Sequence, residues 1–141
     1  MLRLPAQARG FTLVELMVLI GIVGLIAAIG VPTFNGYLRA NQIDTVGDRL
    51  AADAALARST AVSQGRIIRL EATAMGYTIT VPATGRTLRD RTFDGGVQVQ
   101  NPETIDFFPW GAADTVTLIL DNGHEQRQVQ VLPTGMAEVG P

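Results

Sequence analysis

The chain has 141 residues, of which 47% are hydrophobic and 17% charged, enough for one packed domain plus a hydrophobic segment. It contains no cysteine, which excludes disulfides, thiol nucleophiles and thiolate metal sites, and a single histidine, His124, which excludes a multi-histidine centre. Its 11 basic residues are all arginine, and a net charge of −2 gives no electrostatic case for nucleic acid.

The first element is the segment Phe11 to Val31, apolar except for Thr12, some glycines and one carboxylate, Glu15. As a helix it spans about 32 Å, against about 30 Å of bilayer hydrocarbon. Arg3 and Arg9 precede it, which keeps the N-terminus cytoplasmic and places everything after Asn35 beyond the inner membrane. A secretory signal peptide has a shorter apolar region, although Ala28-Ile29-Gly30 is a passable cleavage site. An ordinary signal anchor accounts for the length. A buried core helix would not carry so long a continuous apolar run. None of these readings explains Glu15, because an acid in a membrane helix is costly without a partner. The nearest cation the chain can create is a new α-amino group, made by cutting between Gly10 and Phe11.

Gly21, Gly24 and Ala28 are small residues on nearby helix faces, suited to close helix approach or simply common in membrane helices. Gly30 and Pro32 mark a helix break, since proline removes a backbone donor and clashes with the preceding turn.

From Tyr37 to about Gln64 the pattern stays helical. Leu38, Ile43, Val46, Leu50, Ala54, Ala57 and Ala61 form an apolar stripe, largely clear of Asp44, Asp48, Arg49, Asp53 and Arg58. No linker separates this stretch from the apolar segment, so one long helix is expected, with Gly47 as an internal weak point. After Gly65 the period becomes two. Arg66–Ala72 and Gly76–Val81 read as a hairpin, and Thr84-Gly85-Arg86 as a turn. Thr87–Phe93 and Val97–Val99 read as a second hairpin around Asp94-Gly95. Ile105–Phe108 is short and apolar. Thr115–Leu120 and Glu125–Leu132 flank the strongest turn signal, Asp121-Asn122-Gly123-His124, and Thr134-Gly135 turns into a last strand, Met136–Val139. The fold class is therefore α+β: a long N-terminal helix, its first half suited to a membrane, on a mainly antiparallel β-sheet head.

Arg9-Gly10-Phe11-Thr12-Leu13-Val14-Glu15 resembles the class III signal of type IV prepilins and type II secretion pseudopilins: a short basic leader ending in Gly, then Phe, a Thr-Leu-hydrophobic run, and Glu at the fifth mature position. The resemblance implies a leader over 1–10, an assembly helix over 11–36 and a periplasmic head over 37–141. It implies cleavage after Gly10 by prepilin peptidase, N-methylation of Phe11, and pairing of Glu15 with the N-terminus of a neighbouring subunit. It implies other pilin subunits, an inner-membrane assembly platform and inner-membrane lipid as partners, and a stretch, Ala28–Pro32 here, that can lose helicity in the filament, with a plain kink as the alternative. The head narrows the likeness. Arg58-x-x-Ala61, Ile105-Asp106-Phe107-Phe108-Pro109-Trp110-Gly111 and Thr134-Gly135 are similar to the GspH/FimT branch, although Met136 stands where many relatives carry Arg.

Other chemistry is thin. His124 with Asp121 and Glu125 reads as a solvated loop tip rather than a metal site. Asp90, Asp94 and Asp106 lack EF-hand spacing. Trp110 with Phe107 and Phe108 is either an exposed contact patch or the cap of a small β core. Arg86, Arg89 and Arg91 form a candidate phosphate contact, as in a DNA-uptake pilin; the alternative is an exposed strand face beside Asp90. The head holds nine Arg against 12 acids, which favours the second and makes nucleic acid an unfavoured partner. No nucleophile–base pair, phosphate loop, metal constellation or cofactor site is visible. A structural minor pilin or pseudopilin of the inner membrane is expected, rather than a DNA-binding competence pilin or, more remotely, a membrane-anchored periplasmic enzyme.

Overall fold

The computed structural model describes residues 11–140, without the side chains of residues 30–40. The chain resolves into two compact units, Met1–Tyr37 and Leu38–Pro141. Among the described residues there is one helix, α1 (Leu13–Gln64), which runs without interruption.

In the first unit the described side chains from Phe11 to Ile29 are all exposed. Nothing lies within 4 Å of a Cβ added at Gly21 or Gly24. The expected break at Gly30 and Pro32 is not present in this structure: the backbone of α1 stays helical through both. Among the described residues no helix is long and apolar enough to cross a membrane; the described part of the exposed apolar run at the start of α1 is Leu13 to Ile29, about 26 Å of helix.

In the second unit the stripe read from the sequence is the buried face of α1: Ile43, Val46, Leu50, Ala54, Ala57 and Ala61 are all buried. Among the described residues eight strands follow: β1 (Ile68–Thr73), β2 (Gly76–Val81), β3 (Arg86–Thr92), β4 (Gln98–Val99), β5 (Thr104–Phe107), β6 (Val116–Asp121), β7 (Gln126–Val131) and β8 (Ala137–Gly140). They form two four-stranded sheets, here called A, in the order β3-β2-β1-β5, and B, in the order β4-β6-β7-β8. Every pairing is antiparallel.

The hairpin β1–β2 closes as expected, with Thr73 opposite Gly76. The expected second hairpin does not form. β3 pairs back onto β2, and β4 pairs with β6 in the other sheet. Gly95 and Gly96 have φ of 68° and 74°. Two successive left-handed residues turn the chain away from β3, and burying Val97 and Val99 in the core outweighs the local hairpin. Two backbone bonds then tie the sheets: Val99 N–H donates to Ala74 O at 2.9 Å, and Ala113 N–H donates to Pro133 O at 3.1 Å.

Gly47 is not a weak point. It is buried, and a Cβ there would lie 3.2 Å from Val139 Cγ1, with Leu120 and Val129 just beyond. The missing side chain lets sheet B come close to α1. Ion pairs fasten the margins: Arg127 Nε donates to Asp44 Oδ1 at 2.8 Å, and Arg69 makes a two-pronged bond to Asp106, with both distances 2.7 Å.

Candidate assembly site

The first turn of α1 is built around Thr12 and Glu15. Glu15 N–H donates to Thr12 Oγ1 at 3.2 Å, and Thr12 N–H donates back to Glu15 Oε2 at 2.8 Å. The Thr12 hydroxyl also donates to Glu15 Oε2 at 3.0 Å. Thr-x-x-Glu is a capping box, in which two helix-end N–H groups are satisfied reciprocally. Sequence reasoning missed it, although the three-residue spacing was in plain view. It supplies a local partner for the acid that the apolar context left unexplained. Only Oε2 takes part in these bonds, so Oε1 remains open to a second partner. Phe11, at the start of this turn, is 85% exposed. Gly10, Arg9 and Arg3 lie outside the described residues.

Arg86, Arg89 and Arg91 share β3 but not a common role. Arg91 is paired with Tyr77, and Arg89 with Ile79, so both sit on the core-facing side of sheet A. From there they reach α1. Arg91 Nε lies 3.5 Å and Arg89 Nε 3.9 Å from the carboxylate of Asp53. Asp53 is 9% exposed and accepts a 2.8 Å bond from the Tyr77 hydroxyl. Burial, followed by this hydrogen bond and the Asp53 charge, raises the Tyr77 phenol above its ordinary range. Sequence reasoning counted Asp53 among the polar residues of α1 and did not foresee this cluster. Asp90 is paired with Thr78 on the other side of the strand and is not the partner of these arginines.

The three head segments that carried the family likeness meet in space. Arg58 Nε donates to Gly111 O and to Thr134 O. Gly135 has φ +71°, and a Cβ there would lie 2.7 Å from Arg58 Cδ and 2.8 Å from Gly111 O. Close approach and positive φ both require glycine at 135. Beside this junction Phe108 stacks on Trp110, centroids 4.9 Å apart and planes 8° apart. Phe107 is in the core, whereas Trp110 is 74% exposed. Only Phe107 therefore belongs to the β core.

At the β6–β7 turn, Asp121 accepts from Gln126 Nε2 at 2.9 Å and from Gly123 N–H at 2.6 Å. These bonds hold its carboxyl below the usual carboxylate range. His124 is exposed at the tip. Among the described residues no group of three metal-ligating side chains is found.

The sequence matches the family described as type II transport protein GspH over residues 47–135, most of the head. The chain belongs to the GspH family. Its fold is that of two solved relatives. The type IV minor pilin FimU of Pseudomonas aeruginosa superposes with a TM-score of 0.62 at 24% identity, over 74% of this chain and 92% of that one. The minor pseudopilin EpsH from the type 2 secretion system of Vibrio cholerae gives 0.59 at 13% identity, over 70% and 95%. Among curated relatives, a fimbrial protein of Pseudomonas aeruginosa is 32% identical over 91 residues, 64% of this chain and 58% of the relative. Prepilin peptidase-dependent protein D of Escherichia coli is 61% identical over 33 residues, 23% of each chain. The GspH-family chain thus spans less than two thirds of either relative's length.

Proposed function

We propose that the chain is a structural minor pilin or pseudopilin of GspH type, which assembles into or primes a type IV pilus or a type II secretion pseudopilus. Prepilin peptidase cuts between Gly10 and Phe11, and Phe11 is then N-methylated. The first half of α1 holds the subunit in the inner membrane, N-terminus cytoplasmic and head periplasmic, until the assembly platform passes it to the filament. Other pilin subunits there cover the apolar helix, and the helix opens around Gly30 and Pro32. The reading rests on one observation above the others. The capping box leaves Glu15 Oε1 open on a helix start whose described apolar side chains are all exposed. A neighbour's α-amino group is the cation that fits such an acceptor, and an ion pair in apolar surroundings fixes register more than it adds stability.

A structural subunit needs no catalytic group, and none is assigned. A DNA-uptake role is not carried forward, because Arg89 and Arg91 are turned toward Asp53. Intact-mass spectrometry of protein extracted from membranes tests the reading. A chain starting at Phe11 and carrying one added methyl supports it. A chain starting after Gly30, as a cleaved signal peptide would leave, rejects it.

A further inference from the structure

The outer face of sheet B is made largely of amides. Leu118, Leu120, Val129 and Val131 point into the core, so strand alternation turns Thr117, Ile119, Gln126, Gln128 and Gln130 outward. Gln98 and Gln100 flank buried Val99 and turn outward in the same way. Pairing brings them into rows. Gln128 is opposite Ile119, and Gln100 N–H donates to Ile119 O from the other side. Gln98 is opposite Asp121, which is opposite Gln126. Gln130 lies between Thr117 and Glu138. Five of the chain's eight glutamines therefore share one face, and all five are exposed. The Gln126 amide is held by Asp121. The side-chain amides of Gln98, Gln100, Gln128 and Gln130 have no protein partner among the described residues. Among the described residues no cation joins them: Arg127 turns to the other side of β7, toward Asp44. Four strands by three rows make a patch of roughly 13 by 14 Å.

This surface discriminates among ligand classes. DNA or an anionic headgroup needs phosphate-neutralising cations, and the face has two acids instead. A protein partner is gripped through an apolar, aromatic or arginine-rich centre, and here the centre holds one isoleucine. Each free amide offers two donors and an acceptor, so an array of them matches a ligand whose groups donate and accept at once. A neutral ligand also spares the cost of desolvating a charge. Ile119 supplies an apolar contact between Gln100 and Gln128 for the C–H face of a sugar ring. We propose that the outer face of sheet B binds a neutral polysaccharide.

The test uses the full chain purified in detergent and passed over insoluble chitin and insoluble cellulose. The expected result is retention on at least one, equal at low and high salt and released by soluble oligosaccharide of the same polymer. The triple variant Gln100→Ala, Gln128→Ala, Gln130→Ala lowers the retained fraction at least tenfold with an unchanged unfolding temperature. Thr78→Ala, Thr80→Ala, Thr104→Ala on the outer face of sheet A leaves it intact. If the glutamine triple unfolds, the near-isosteric Gln128→Glu takes its place and must lower retention. Retention on neither polymer overturns the proposal, as does retention that salt abolishes or that the glutamine variants leave untouched. A dimer of the unmodified chain that the glutamine triple dissolves assigns the face to a second copy, and overturns it too.

Discussion

Arg58 Nε donates to Gly111 O at 3.0 Å, and the same N–H reaches Thr134 O at 2.9 Å. One guanidinium on α1 thus serves carbonyls from two loops that lie 53 and 76 residues further along the chain. Both loops turn on a left-handed glycine, Gly111 and Gly135, with φ of 87° and 71°. Both carbonyls meet the guanidinium of α1, the Gly111 bond part-buried and the Thr134 bond exposed. Hydrogen bonds to a charged group are worth about 1.5–3 kcal/mol. Arg58→Ala should destabilise the chain by about 2–3 kcal/mol in urea unfolding. Arg58→Lys should recover little of this, because a point charge does not reproduce the planar Nε–H geometry.

Asp53 is the buried counterpart on the other side of the helix. Asp53→Ala leaves the Tyr77 hydroxyl without its acceptor and two guanidinium groups without their carboxylate, and should cost about 2–4 kcal/mol. Asp53→Asn keeps an acceptor for Tyr77 and should cost about half as much. Urea unfolding followed by circular dichroism separates the two. Equal losses would show that charge, not the Tyr77 bond, sets the energy.

Much of the head was legible because its signals were periodic. The stripe from Ile43 to Ala61, the β1–β2 hairpin and the Asp121–His124 turn all follow from spacing and turn chemistry. The partnership of β3 and β4 was not legible. Asp94-Gly95-Gly96 carries the same local signal whether it closes a hairpin or crosses between sheets, and only the burial of Val97 and Val99 decides. Asp53 was illegible for a related reason: a lone acid at the edge of an apolar stripe looks solvated until a tyrosine arrives from another strand. The capping box was legible and was overlooked, because the apolar surroundings of Glu15 drew the reading toward distant partners. Arg58 was readable only through the family likeness, since nothing local says which carbonyls it will meet.

Asp121 gives a pH signature. Its folded carboxyl titrates below the ordinary value of 3.8, through the bond from Gln126 and then the Gly123 N–H. A lowered folded pKa means that the stabilisation is present above the unfolded value and is lost as pH falls through the folded one. The tightening of this turn should therefore persist to pH 4 and disappear only in stronger acid. Carboxyl-detected NMR titration of Asp121 checks the order, and Gln126→Ala should move the midpoint up toward 3.8.

At the helix start the two roles of Glu15 are separable. Thr12→Val removes the hydroxyl from the capping box and should loosen the first turn by about 1 kcal/mol, read as faster amide exchange there. Thr12→Ser should behave as the parent. Glu15→Ala should lower incorporation into filaments while membrane insertion stays intact or improves, since a charge leaves an apolar segment. Normal incorporation of Glu15→Ala would remove the acid from any part in subunit register.

The close seat of Val139 against Gly47 ties the last strand to the helix, and Arg127 reaches Asp44 across 83 residues. Synthesis runs in the opposite sense to that closure. At about 5–20 residues per second, the Asp44–Gly47 end of α1 waits roughly 4–17 s after leaving the ribosome before β7 exists to cover it. The Gly47 end of the head therefore shuts last, from its tail. A chain truncated just before Ala137 should keep its hairpins yet bind a hydrophobic dye, with the uncovered surface centred on Gly47.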